Sequence, residues 1–332
     1  MYTNIKPRFS GGDWFSYITQ NDFETCAWAA FAHQYEHCDI YRQYVDALKI
    51  APGKVEKTEQ IPFLPISFFK THKVTGGHFR PELVFESSGT TGMANSKHWV
   101  KDAGLYRQSF LNGFRQFYGQ PSDYIFLCLL PSYLERGNSS LVYMADALIK
   151  MSGDEKSGFY LNEWASLAAT LQSLRHGKKK VVLLGVTFAL LDFAEKYPMD
   201  LGGAIVMETG GMKGRREEWT RAQVHRFLKD KWHLDAVHSE YGMTELLSQA
   251  YAHKDGIFAA AATMRVYVRD ESDPFDVQPQ GSGILNVIDL ANIDACSFIA
   301  TDDIAKIYAD GSFEVLGRLD NSALRGCSLM VV

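Results

Sequence analysis

Apolar and polar positions fall into distinct regimes along the chain. Between Asn21 and Leu48, apolar residues recur at Ala27, Phe31, Cys38, Tyr41, Val45 and Leu48, three, four or seven apart. That is the spacing of one helical face, and Asn21 followed by Glu24 reads as a capping box opening one long helix. His33 and His37 stand four apart on it and offer two imidazoles. No carboxylate or thiol accompanies them in a metal-ligand pattern, so ordinary packing is the plainer reading.

After a segment punctuated by Pro52, Pro62 and Pro65, short apolar runs alternate with amphipathic stretches. Strands are expected over 83–85, 124–130, 181–185, 204–207 and 236–239. Helices are expected over 103–117, 139–151, 163–175, 187–196 and 217–229. This alternation predicts an α/β fold with a largely parallel sheet. From about residue 260 the pattern turns β-rich, with strands at 263–268, 284–288 and 298–301. A final hairpin, 304–308 and 313–316, flanks Asp310-Gly311. No internal repeat or low-complexity tract interrupts the order.

A chain of 332 residues that is 46% hydrophobic and 22% charged builds a substantial core, as one large domain or two ordinary ones. A net charge of −5 argues against a nucleic-acid-binding surface. The one basic run, Lys178 to Lys180, precedes the apolar run 181–184 and reads as a solvated strand entry, with a phosphate-binding patch as the alternative. There is no signal-like leader and no apolar run long enough to span a bilayer. The five cysteines, Cys26, Cys38, Cys128, Cys296 and Cys327, are widely spaced without a CxxC pair. They fit a reducing compartment, so a cytoplasmic location is expected.

The strongest chemical signal is Ser87-Ser88-Gly89-Thr90-Thr91-Gly92, directly after the strand at 83–85. Its glycines permit tight turning, and its hydroxyls and N–H groups can surround phosphate oxygens. Lys97 follows closely enough to offer a charge, but the spacing is not that of a Walker loop. An ordinary loop is the competing reading. Two more segments follow apolar strands, where ligands gather in open α/β sheets: Glu208-Thr209-Gly210-Gly211 and Tyr241-Gly242-Met243-Thr244-Glu245. Tyr241 offers a face for a base, Thr244 a hydroxyl for a phosphate and Glu245 a hard oxygen for Mg²⁺. Last come Thr301-Asp302-Asp303 and Gly317-Arg318-Leu319-Asp320. Asp303 can accept both ribose hydroxyls and Arg318 can pair with phosphate or sugar oxygens. Taken singly, each cluster is equally a loop or a capped hairpin.

In this order and spacing the clusters resemble the adenylate-forming superfamily of acyl-CoA synthetases, adenylation domains and luciferase-type enzymes. The resemblance runs from about residue 85 to the C-terminus. It implies a fold of mostly parallel sheet layers with helices and a β-rich C-terminal part. That catalytic domain would cover 1–316, with a helical entry at 1–80, an α/β nucleotide-binding part at 81–258 and a β-rich part at 259–316. It also implies ATP and Mg²⁺ as cofactors. Gly210 and Gly211 would lie beside the adenine and Tyr241 would stack on it. Thr244 would touch the α-phosphate, Glu245 would hold Mg²⁺ and Asp303 the ribose. Family members continue after the GRxD motif into a mobile domain carrying a catalytic lysine. Here 317–332 is expected to be a truncated hinge and tail, with that domain absent. The proline and lysine usual after the phosphate loop are also missing, which leaves Lys97 as a displaced counterpart.

The truncated layout, Pro131 to Ser140 and the tail Leu324 to Met330 are similar to the acyl-protein synthetases of the LuxE family. That resemblance implies a carboxylic, fatty-type acid as substrate and an acyl-acceptor protein such as a reductase or carrier as partner. It also implies transfer of the acyl group to Cys327, whose thiolate Arg325 would favour. Packing among Leu329, Met330 and Val331 is the alternative for that cysteine. The aromatic-rich helix at 105–118 and residues 131–144 are expected to line the acid pocket. His238 either faces the carboxylate or packs at a strand end. Two other functions stay open: a ligase acting directly on a pantetheine thiol, and a non-catalytic nucleotide-binding scaffold. A serine hydrolase is disfavoured, because no GxSxG elbow occurs.

Overall fold

The computed structural model of the chain describes residues 11–87, 95–130, 138–175, 177–210 and 219–319. Three helices open it: α1 (Gly11–Gln20), α2 (Phe23–His37) and α3 (Asp39–Ala47). The short strand β1 (Leu64–Pro65) and helix α4 (Phe68–Thr71) lead to a hairpin, β2 (Leu83–Glu86) and β3 (Lys97–Val100). Then come α5 (Ala103–Tyr118), β4 (Tyr124–Leu129), α6 (Ser140–Ser152), β5 (Gly158–Phe159), α7 (Trp164–Leu174), β6 (Lys180–Val186), α8 (Thr187–Lys196), β7 (Ile205–Thr209), α9 (Arg221–Trp232) and β8 (His238–Tyr241). The remainder is strand: β9 (Ala250–Ala252), β10 (Ile257–Ala260), β11 (Met264–Arg269), β12 (Val277–Gln278), β13 (Gly281–Asp289), β14 (Phe298–Ile307) and β15 (Phe313–Arg318).

Among the described residues all strands but β2 and β3 share one sheet, whose main path runs β12-β11-β13-β14-β15-β10-β9-β8-β7-β6-β4-β5. Strands β5, β4, β6, β7 and β8 are mutually parallel, and from β9 onward each pairing on that path is antiparallel. The change falls at the β8–β9 pair, where Tyr241 lies opposite Ala250. Parallel strands must be covered on both faces by their crossover helices, and all six residues of β4 are accordingly buried. One apolar core gathers around this parallel half, and a second joins α1–α3 to the antiparallel half.

The helical entry is pinned by side-chain hydrogen bonds as well as packing. Trp14 Nε1 donates to the Leu290 carbonyl at 2.6 Å, and Gln34 Nε2 to the Asn292 carbonyl at 2.9 Å. The Ser297 amide donates back to Gln34 Oε1 at 2.9 Å.

The expected single helix from Asn21 is two helices, and its cap is one residue later. Asp22 Oδ1 accepts the Thr25 amide at 2.8 Å and takes the N-cap. Cys38 adopts extended angles (φ −98°, ψ 98°) and breaks the ladder before α3. Helix α1 was not anticipated, although Trp14, Phe15 and Ile18 already carried a short apolar stripe. The strand expected over 236–239 lies two residues later, as β8. The strands expected over 298–301 and 304–308 are one, β14, whose pairing with β13 is irregular between them: Ile304 lies opposite Ile284 and Ala300 opposite Asn286.

Candidate active site

The hairpin β2–β3 carries the start of the hydroxyl-rich loop. The Ser87 amide donates to the Ser96 carbonyl at 3.0 Å, and the Ser96 amide to Ser87 Oγ at 2.9 Å, closing the base of the 87–96 turn. Ser96, fully buried, also hydrogen-bonds the Glu245 carboxylate with its side chain. Two residues further, His98 Nδ1 donates to the Thr244 carbonyl at 2.8 Å, and its ring meets the Asn292 side chain. Burial pushes the His98 pKa down to about 4, so the ring is a neutral imidazole with its proton fixed on Nδ1. The loop base and the 241–245 segment are therefore joined at two points. His98 was not singled out from sequence, where it lies in no motif.

Glu245 is buried, and burial raises its carboxyl pKa against the Ser96 hydroxyl and the positive fields of Arg318 and Lys70. No cation stands within ion-pair distance of it among the described residues. Its segment is held from behind by Asp289, whose carboxylate accepts the Leu247 amide at 2.7 Å, the Ser248 amide at 3.1 Å and the Ser248 hydroxyl at 2.6 Å. Asn292 Nδ2 adds a bond of 2.7 Å to the Glu245 carbonyl.

The second part of the site joins the parallel and antiparallel halves. Tyr241, 8% exposed, donates its hydroxyl to Asp303 Oδ2 at 2.7 Å. Its ring meets the Phe258 and Phe313 rings at 61° and 86°. Asp303 and Arg318 are cross-strand partners, with Nε 3.8 Å from Oδ1, and Arg318 is 62% exposed. Burial raises the Asp303 pKa, opposed by the Tyr241 hydroxyl and the Arg318 charge. Beside them, Arg221 donates to Glu208 Oε1 at 3.0 Å and to the Val315 carbonyl at 2.8 Å. Burial alone would raise Glu208; hydrogen bonds from His225 and Ser239 and the Arg221 charge outweigh it and hold the group at about 2. Gly210 has a left-handed φ of +72°, and its carbonyl accepts the Thr187 hydroxyl at 3.0 Å.

Lys97 pairs with Glu86 at 3.3 Å and is 49% exposed, an ion pair of about 0–1 kcal/mol. His238 turns toward the end of α5, with Nδ1 3.1 Å from the Tyr118 hydroxyl and His253 beside it. Burial and the neighbouring histidines push its pKa down to about 4. Gly242 is packed closely: a Cβ there would meet Glu240 Oε1 at 2.6 Å. Cys26, Cys38, Cys128 and Cys296 are buried free thiols whose pKa values burial raises, the opposite of an activated nucleophile. Ser88, Gly89, Thr90, Thr91, Gly92, Gly211 and Cys327 lie outside the described residues, as do 131–137. No helix among the described residues is long and apolar enough to cross a membrane.

Residues 14–105 match the family model "Acyl-protein synthetase, LuxE". The resemblance to the LuxE acyl-protein synthetases holds. A long-chain-fatty-acid–luciferin-component ligase of Photorhabdus luminescens is 40% identical over 65 residues, which are 19% of this chain and 55% of that protein. The fold matches that of solved structures. An ATP-bound RpMatB-BxBclM chimera superposes with a TM-score of 0.54 at 17% identity, over 73% of this chain and 49% of that one. A long-chain-fatty-acid–CoA ligase from Archaeoglobus fulgidus gives 0.50 at 14% identity, over 75% and 53%. The chain thus spans about half the length of the proteins it matches.

Proposed function

We propose that this chain is a LuxE-type acyl-protein synthetase that activates a carboxylic acid, of the fatty type, as an acyl-AMP. Supporting this is one observation above the rest. The base of the 87–96 turn, Thr244-Glu245 and the Tyr241–Asp303–Arg318 set stand on adjoining elements and are linked by Ser96, His98 and Tyr241. The nucleotide readings of the individual motifs need such a meeting point. ATP is the nucleotide, as in the ATP-bound structural relative.

In this reading Asp303 accepts the ribose hydroxyls, which requires its carboxylate to be ionised and the Tyr241 bond to be shared or released. Tyr241 and Gly210 border the base, with Gly211 and Gly242, and Arg318 reaches sugar or phosphate oxygens. Ser87, Ser88, Gly89, Thr90, Thr91 and Gly92 surround the phosphates, with the Thr244 hydroxyl at the α-phosphate. Lys97 joins them only by leaving Glu86. A single desolvated carboxylate without its own cation suits Mg²⁺, which takes one or two protein carboxylates and fills its remaining positions with water and phosphate oxygens. Bound at Glu245, Mg²⁺ would neutralise charge on the phosphates. The acid's carboxylate oxygen attacks the α-phosphorus; a P–O bond forms and pyrophosphate leaves with the electrons of the broken one. His238 and Tyr118 border the acid. The Cys327 thiolate, its proton released to solvent, then attacks the acyl carbon and expels AMP, leaving a thioester for a partner protein.

Intact-mass spectrometry after incubation with ATP, Mg²⁺ and a panel of fatty and aromatic acids tests this. The expected result is a mass increase of one acyl group, removed by neutral hydroxylamine and absent from Cys327→Ser, while that variant keeps forming acyl-AMP. Persistent labelling of Cys327→Ser would refute the tail cysteine as acceptor. Product formation with CoA by the same variant would favour a direct pantetheine ligase.

A further inference from the structure

A second concavity, of about 470 Å³, opens on the other face of β14 from the site above. Strand geometry separates the two: Asp303 turns to Tyr241, whereas Ala300 and Asp302 line this cavity. One wall comes from the end of α3 and the segment after it, with Leu48, Ile61 and Phe63; the other comes from the β11–β12 connection, with Phe275 and Val277. Phe275 is 57% exposed at the lip, where it offers an apolar face to the cavity mouth. The volume lies within the roughly 300–1,000 Å³ typical of small-molecule sites.

The floor is polar and incompletely matched. Arg269 donates to the Thr301 carbonyl at 2.7 Å, the Leu285 carbonyl at 3.2 Å and Asn286 Oδ1 at 2.6 Å. The last bond fixes the Asn286 amide with Oδ1 toward the guanidinium. Its Nδ2 is then left buried without an acceptor, which costs the group its lost hydration. What is missing is an oxygen acceptor, not a donor. The charges around the cavity also favour an anion, since Lys49, Lys54 and Arg269 outnumber Glu59 and Asp302. Lys49 holds a left-handed φ of +58°, an uncommon conformation for a residue with a side chain.

We propose that this cavity is a second ligand site, separate from the nucleotide site, for an organic carboxylate with an apolar body. Its chain lies between the α3 wall and Phe275, and its carboxylate accepts from Asn286 Nδ2. The site stands on its own lining and does not require the acyl-AMP reading.

Photolabelling of the full chain with a diazirine-bearing dodecanoate, followed by peptide mapping, tests it. Label is expected in peptides covering 44–65 and 269–286, undiminished by saturating ATP. Asn286→Asp keeps the oxygen facing Arg269 and replaces the free donor with an acceptor; it should lower that label about tenfold. Phe275→Asp, at an exposed position that leaves the fold intact, should do the same. A dodecylamine carrying the same diazirine should label those peptides about tenfold less. Label confined to other peptides, equal labelling by the amine, or undiminished labelling of both variants would overturn the proposal.

Discussion

The hydroxyl of Tyr241 and the imidazole of His98 show how single contacts hold this site together. Tyr241→Phe leaves the mostly buried Asp303 carboxylate with only the Arg318 guanidinium at 3.8 Å, so a stability loss of about 1 kcal/mol is expected in denaturant melts. His98→Phe removes the Nδ1 proton that fixes the Thr244 carbonyl. It should slow acyl-AMP formation about ten- to a hundredfold, mainly in kcat, with His98→Asn recovering part of the rate because its amide can reach the same carbonyl. A purely structural His98 would instead give variants that lose stability while rate per folded molecule is unchanged. Tyr241, Glu245 and Asp303 are singled out in the sequence by residue type and order, and the structure bonds Tyr241 to Asp303 and Glu245 to Ser96. His98 is not singled out, since its partner lies 146 residues away and a lone histidine in a strand announces nothing. The Asp289 network escaped for the same reason.

At the level of elements, the register of β13 against β11 depends on a close approach at Gly283. A Cβ there would lie 2.4 Å from the Arg269 carbonyl oxygen, a backbone atom that cannot swing away. Gly283→Ala should therefore destabilise the chain by about 1–3 kcal/mol, seen as an earlier urea midpoint at unchanged slope. Periodicity located α8 at both ends and α5 to within a residue, because each carries a full apolar face. It failed where one residue's backbone decides the outcome. Cys38 fits the apolar spacing of a continuous helix yet sits at the break between α2 and α3. Asn21 and Asp22 are both good caps, and only the three-dimensional position of the Thr25 amide chooses between them. The two-strand reading of 298–308 missed that one strand runs on through an irregularity in its pairing with β13, which leaves no mark in the polarity pattern.

For the whole molecule, the alternation of strands and helices predicted the parallel half, and the change near residue 260 predicted a β-rich part, which is antiparallel. Their fusion through β8 and β9, which sets Tyr241 against Asp303, is a matter of sheet order that local patterning does not encode. The same fusion buries Glu240, and burial pushes its carboxyl pKa up from the ordinary 4.5 to about 7. The folded state thus prefers the protonated acid. Glu240 favours folding fully below about 4.5, and that contribution is lost as pH rises through about 7. His98 and His238 act oppositely: held near 4 against 6.5, they favour folding above 6.5 and lose that contribution as pH falls toward 4. Glu240→Gln, whose amide oxygen can still accept the Thr209 hydroxyl, should melt higher than the parent at pH 8 and alike at pH 4. Equal melting at both values would show that Glu240 is not strained by its burial.

The central claim is that the 87–96 turn, the 241–245 segment and the Asp303–Arg318 pair serve one ATP molecule. Acid-dependent exchange of labelled pyrophosphate into ATP reads that claim without requiring Cys327 or any partner. The parent chain should exchange only when a suitable carboxylic acid is added, and Glu245→Gln and Asp303→Ala should each abolish most of the exchange while Cys327→Ser retains it. Exchange that persists undiminished in both site variants, or none with any acid while ATP still binds, would contradict the account.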